Sequence, residues 1–219
     1  MTAPSIEAAV ADAGLYIGGS FTLTAEEIRI FGTSGAGALL IGNAGPALWH
    51  LFTDEQGEDG KPDPLNRWTR RRLDRIAGQT GADVIYPFDG PPWPPFGQWA
   101  LRTGQFFESP LGLKIHPRFG LWQAFRGVLV LPDELQIPTG APARSPCDDC
   151  ADKPCLTTCP VGAFSPGHYD VPACRDHISN AGVECLNRGC LARHACPVGQ
   201  DVVYAPEQAN FHMRSFLTV

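Results

Sequence analysis

The chain has 219 residues, 43% of them apolar, and carries 23 acidic side chains against 17 Lys and Arg, for a formal net charge of −6. This length holds one large domain or two modest ones, and the acidic balance argues against broad nucleic-acid binding, which requires neutralised phosphates. The longest apolar run, Gly37-Ala38-Leu39-Leu40-Ile41-Gly42, is too short to span a bilayer, and the start shows neither a basic segment nor a long apolar one. Together these features predict a cytoplasmic protein with reduced thiols and no membrane partner.

Taken in chain order, Ser5 to Ala13 reads as a first helix, with Ser5 as its cap and Gly14 as its stop. Ala38 to Gly42 reads as a buried strand and Ala82 to Tyr86 as another. Pro46 to Phe52 reads as a helix with Pro in its first turn. Leu65 to Gly78 carries the clearest helical period: Leu65, Trp68, Leu73 and Ile76 form an apolar stripe, and Arg67, Arg70, Arg71 and Arg75 lie largely off it. With Arg72, these arginines form either a solvated face or a holder for an anionic ligand. Gly97 to Gly104 reads as a short helix, and Gly127 to Leu131 as a strand ended by Pro132. Interleaved helices and strands predict an α+β class. The Pro-rich stretch from Pro132 to Pro142 reads as a connector, which gives an α+β lobe over 1–134, a linker over 135–146 and a cysteine lobe over 147–219.

All eight cysteines lie in that last lobe, and the tetrapeptide Cys159-Pro160-Val161-Gly162 recurs as Cys196-Pro197-Val198-Gly199. The first group is spaced Cys147-x2-Cys150-x4-Cys155-x3-Cys159-Pro160 and the second Cys185-x4-Cys190-x5-Cys196-Pro197, with Cys174 between them. A three-cysteine run closed by a remote Cys-Pro is how a chain wraps a [4Fe–4S] cube, and in two-cluster ferredoxins the Cys-Pro cysteine of one run ligates the other cluster. Applied here, that rule assigns Cys147, Cys150, Cys155 and Cys196 to one cluster, and Cys159, Cys174, Cys185 and Cys190 to a second. A pair of four-thiolate zinc sites is the competing reading. Zinc ribbons favour two short Cys-x2-Cys knuckles, whereas this chain has one. Two oxidised clusters would bring the net charge to about −10, which suits docking to a basic face of a redox partner. Short helices are predicted after each Cys-Pro. A tail helix over Pro206 to Leu217 is also predicted, with Phe211 and Phe216 shielding a cluster.

In the cysteine-free lobe, the segment from Tyr86 to Trp99 is dense in Pro and aromatic residues. Phe88, Trp93, Phe96 and Trp99 are candidates to wall a flat cofactor, or else an ordinary loop packed by its own rings. His116 is a candidate metal ligand or proton donor, or a structural hydrogen-bonding group. No hydrolytic triad or phosphate-binding Walker loop is present.

Cys147 to Pro160, then Ala173-Cys174-Arg175-Asp176-His177-Ile178, then Gly189-Cys190 and Cys196-Pro197 give a resemblance to the iron–sulfur and cobalamin reductase superfamily. That group includes the epoxyqueuosine reductases, the reductive dehalogenases and the cobalamin-trafficking decyanase. The stretch from Phe119 to Val130 resembles the one before the clusters in those enzymes. The resemblance is good over 115–200 and is nearest a small, ferredoxin-like branch. It implies two [4Fe–4S] clusters and a nitroreductase-like lobe that holds cobalamin against one of them. The epoxyqueuosine reductases' Gly-Leu-Gly-x-x-Gly-Lys-Asn signature has no counterpart here. Three functions remain open: a two-cluster ferredoxin-like electron carrier, a cobalamin-dependent reductase fed by the clusters, and a cobalamin-processing chaperone.

Overall fold

The computed structural model describes residues 3–57, 59–132, 143–180 and 182–218. The chain forms two compact units: Met1–Gln105 with Ala124–Pro142, and Phe106–Gln123 with Ala143–Val219. The segment 106–123 therefore clusters with the cysteine-bearing residues although it contains no cysteine. Most of the Pro-rich connector, residues 133–142, lies outside the described residues.

In chain order the elements up to residue 131 are α1 (Ala3–Asp12), β1 (Tyr16–Thr22), α2 (Ala25–Phe31), β2 (Gly37–Ala44), α3 (Ala47–Glu55), α4 (Pro64–Thr80), β3 (Asp83–Ile85), α5 (Phe96–Arg102), β4 (Phe107–Glu108), β5 (Lys114–Ile115) and β6 (Gln123–Leu131). The first unit is built on a four-stranded sheet of order β1-β2-β6-β3, with β1 antiparallel to β2 and β3 antiparallel to β6. Leu39, Leu40 and Ile41 of β2 and Val128, Leu129 and Val130 of β6 are buried in consecutive runs, because these central strands are covered on both faces. Helix α4 buries Leu65, Trp68, Leu73 and Ile76, as its period predicts, together with Thr69 and Ala77. Three of its five arginines pair with carboxylates, Arg67 with Asp59, Arg70 with Asp89 and Arg72 with Glu55, while Arg71 and Arg75 are exposed. Helix α1 begins at Ala3, so Ser5 lies inside its first turn and is not the cap.

Two elements of the first unit have no counterpart in the sequence reading. Strand β1 runs through Gly18-Gly19, and its register with β2 shifts between Ile17 and Ser20, which breaks the two-residue alternation. Helix α2 opens with a complete capping box, Thr24 accepting from the Glu27 amide and the Glu27 carboxylate accepting from the Thr24 amide.

The second unit continues with α6 (Pro154–Thr157), β7 (Phe164–Ser165), β8 (His168–Tyr169), α7 (Val171–Ser179), α8 (Glu184–Arg188), α9 (Leu191–His194), a 3-10 turn (Gln200–Val202) and α10 (Pro206–Thr218). After the first Cys-Pro the chain makes a turn, whereas after the second a three-residue 3-10 helix, Gln200–Val202, begins past Gly199. In both copies of the tetrapeptide the closing glycine, Gly162 or Gly199, is left-handed at φ 59° or 78°, which halts a helix at that point. The short helices start elsewhere: α6 has Pro154 in its first turn, and α9 follows Cys190. No described helix is long and apolar enough to cross a membrane.

Candidate metal centres

The cysteines of the second unit line two separate cavities. The first has about 310 Å3 of empty space, part of it open to solvent, and is lined by Cys147, Cys150, Cys155 and Cys196 with Pro110, Ile115, Lys153 and Val198 among their neighbours. The second, about 290 Å3, is lined by Cys159, Cys174, Cys185 and Cys190 with Pro160, Phe164, His177 and Met213 among theirs. All eight cysteines are free thiols.

Local chain chemistry explains each placement. Lys153 takes the left-handed conformation at φ 39°, which turns the chain between Cys150 and Cys155, and its ammonium donates to the Cys150 carbonyl at 3.2 Å. Cys155 then sits in the short helix α6 and packs with Leu111, Ile115, Leu121, Ala192 and Cys196 in one apolar cluster. Cys196 arrives from the end of α9. Its second neighbour in sequence, Val198, offers a backbone carbonyl so close to Gly120 that a side chain there would collide. In the second set, Cys174 lies on α7, whose Asp170 cap accepts from the Ala173 amide at 2.9 Å. Cys185 lies on α8, and Cys190 immediately precedes α9.

Electrostatics separates the same two sets. Burial raises the Cys147 thiol pKa, and Cys196, Cys155 and Cys150 raise it further. Burial raises Cys155 and Cys196 likewise, with Cys150 adding to both. In the other set burial pushes Cys190 up to about 11, with Cys185 and Cys174 adding to the effect. Burial raises Cys185 too, Cys159 and Cys174 adding, while the Leu191 amide opposes the rise. Thiols crowded in this way repel one another as thiolates unless a cationic core sits between them. Backbone amides already point at sulfur, as where Ala163 N–H donates to Cys159 Sγ at 3.3 Å. Among the described residues, no three His, Cys, Asp or Glu side chains are placed to hold one metal ion. Each set surrounds a space instead.

Among the aromatic candidates of the first unit, Phe96 and Trp99 pack together, Phe88 pairs with Tyr86 and Trp93 is exposed. Trp99 is fully buried, stacks on Phe21 and donates its indole N–H to Glu27 at 2.6 Å. Phe96 is buried against Trp99 and Phe125. Phe88 stacks on Tyr86 beneath the Arg70 guanidinium. Trp93 is 64% exposed. They do not come together as one wall, because the first helical turn after Pro95 sends Phe96 and Trp99 inward to the core. His116 belongs to the second unit, where its Nδ1 accepts from the Arg118 and Phe119 amides at 3.1 and 3.3 Å and its ring stacks on Phe119. Burial, then the Arg118 charge, lower its pKa to about 4. These contacts fit a neutral residue that organises its loop. In the tail, Met213 lines the second cavity, whereas Phe211 packs on His212 and Phe216 on Tyr169.

Residues beside the cysteines that the sequence reading missed are Lys153, Phe164, His177 and Met213. The β7–β8 hairpin that carries Phe164 and Tyr169 had a readable signal, the Pro166-Gly167 turn. The others follow only from packing.

No protein-family model matches the chain, and no curated protein matches it by sequence. Solved structures do match in fold. The B12-trafficking protein CblC of C. elegans, a human MMACHC homologue, aligns with a TM-score of 0.56 at 16% identity over 98% of this chain and 92% of its own. An epoxyqueuosine reductase solved with an epoxyqueuosine-modified tRNA-Tyr stem loop aligns at 0.54 and 13% identity over 93% of this chain, which spans 66% of the reductase chain. Epoxyqueuosine reductase from Streptococcus thermophilus aligns at 0.50 and 14% identity over 94% and 69%. The chain thus has the α+β fold of a B12-trafficking protein and of epoxyqueuosine reductases.

Proposed function

We propose that this protein is an iron–sulfur electron-transfer protein with two [4Fe–4S] clusters, one held by Cys147, Cys150, Cys155 and Cys196 and the other by Cys159, Cys174, Cys185 and Cys190. The observation that carries this reading is the sorting of eight cysteines into two cavities of four, each fed by cysteines remote in sequence. Thiolates are soft ligands suited to iron–sulfur cores. A pair of tetrahedral zinc sites is the competing occupant of the same thiols. When bound, the clusters supply one-electron transfer. The chain's own part is to hold the thiols, exclude water with Ile115, Val198, Phe164 and Met213, and direct amide N–H groups at sulfur. A redox partner protein completes the electron path. Anaerobic purification followed by iron, acid-labile sulfide and zinc analysis tests the proposal. About eight iron and eight sulfide per chain are expected for two cubes, and zinc without sulfide would overturn it.

A second reading makes the protein a cobalamin-dependent reductase or a cobalamin-processing chaperone. The fold it shares with a B12-trafficking protein favours it. Phe96 and Trp99 pack together in the core while Trp93 is exposed, so this reading is supported by the fold rather than by those four rings. Titration with cob(II)alamin decides it: a changed EPR spectrum supports corrinoid binding, and an unchanged one leaves the electron carrier.

A further inference from the structure

We propose that the Lys153 ammonium, held beside the first cysteine set, keeps the first cluster's reduction potential above the second's, so that an electron given to the pair rests on the first. The role depends on the iron–sulfur reading above. Lys153 lies inside the run that supplies three of that cluster's ligands, between Cys150 and Cys155. Its backbone is left-handed at φ 39°, and its carbonyl accepts from the Leu156 amide at 2.9 Å in the first turn of α6. The side chain folds back over its own turn, and the ammonium donates to the Cys150 carbonyl at 3.2 Å. The residue is half-buried and lines the first cavity with Cys147, Cys150, Cys155 and Cys196.

This charge is not spent on an ion pair. Among the described residues no carboxylate bridges to the Lys153 ammonium. Asp148, Asp149 and Asp152 share its segment, but all three are exposed, where water and salt weaken their field. The second cavity is lined differently. It holds His177 and no Lys or Arg, and the neutral Ala163 amide donates to Cys159 Sγ at 3.3 Å. Reduction adds one negative charge to a core and its four thiolates, and net charge is among the factors that set cluster potentials. Lysine's ammonium is a compact point charge. Held at a half-buried position, it attracts the added charge more strongly than it would in open water. An amide dipole carries only partial charges of both signs, so its effect falls off faster with distance.

The test uses the holoprotein as wild type, Lys153→Met and Lys153→Arg. Methionine keeps a stem of similar length without the charge, and arginine keeps the charge. Potentiometric titration followed by EPR is expected to resolve two midpoints in the wild type. In Lys153→Met the higher midpoint should move to a more negative potential and the lower one stay, with iron and sulfide content unchanged. Lys153→Arg should keep both near their wild-type values. Two unmoved midpoints in Lys153→Met, or movement of the lower one, would overturn the proposal. So would an arginine variant that shifts as the methionine variant does, or loss of a cluster from Lys153→Met, since either would make Lys153 a structural residue of its turn. Wild-type protein without iron and sulfide defeats the parent reading at an earlier, separate measurement.

Discussion

Gly162 and Gly199 close two copies of the same tetrapeptide and share the left-handed conformation, yet their surroundings differ. A methyl group added at Gly162 meets nothing within 4 Å, so Gly162→Ala should cost only the backbone strain, about 1–2 kcal/mol. A methyl group at Gly199 would land on the Phe119 carbonyl, with the Gly120 amide 3.0 Å away, and neither backbone can yield cheaply. Gly199→Ala should cost more than about 3 kcal/mol, in the tail reserved for overpacking and strain. Because Cys196 lies three residues upstream, that variant should also lose iron from the first cluster. Chemical denaturation and iron analysis of the two variants check both outcomes. His116 gives a pH prediction at the same scale. Its folded pKa of about 4 lies below the ordinary 6.5, so the unfolded chain takes up a proton in that interval while the folded one does not. The stabilisation is complete above about pH 6.5 and is lost as pH falls toward 4. His116→Asn keeps an acceptor for the Arg118 and Phe119 amides without titrating. Its stability should fall less than wild type over that range in urea melts at stepped pH.

At the scale of elements, α4 shows why periodicity was readable: Leu73 is fully buried on the stripe the sequence displays. Opposite it, a Cβ on Gly127 of β6 would strike Leu73 Cδ1, so the glycine makes room for the leucine. Leu73→Ala should cost about 2–5 kcal/mol, the range for truncating a buried leucine, measured as a lowered melting temperature of the first unit. The same logic explains the misses. Strand β1 was hidden because Gly18 and Gly19 supply no side chains to alternate and its register shifts there. Helix α2 buries none of its residues fully, so it has no strong stripe, and its only clear signal was the Thr24–Glu27 box. The aromatic segment before Trp99 left two readings open, because composition cannot tell rings that wall a pocket from rings that fill a core. Trp99 on Glu27, with Arg102 joining the same carboxylate, belongs to the core. The grouping of the cysteines was legible because the spacing rule sorts them as the two cavities do.

At the scale of the whole molecule, the chain enters the cysteine-bearing unit twice, at Phe106–Gln123 and again from Ala143 onward. The first visit is welded to the second by side chains and backbone. Leu111, Ile115 and Leu121 pack with Cys155, Ala192 and Cys196, and the Arg193 guanidinium donates to the Leu121 carbonyl. The core of this unit is thus assembled around the cysteines, with two cavities where a larger apolar core would otherwise lie. Metal binding in such a unit is part of its folding free energy, and its removal should unfold both visits together. The first unit has its own sheet and its own buried leucines, tryptophans and phenylalanines, and needs no metal to hold them. Stripping iron with a chelator under reducing conditions should therefore abolish amide-exchange protection in 106–123 and in 143–218 at once. Protection in β2, β6 and α4 should remain. Hydrogen exchange read by mass spectrometry on holo and stripped protein distinguishes this from the alternative. Segment 106–123 retaining its protection while 143–218 loses it would show that the two visits do not fold as one unit, and uniform loss across the chain would show that the sheet depends on the metal centres as well.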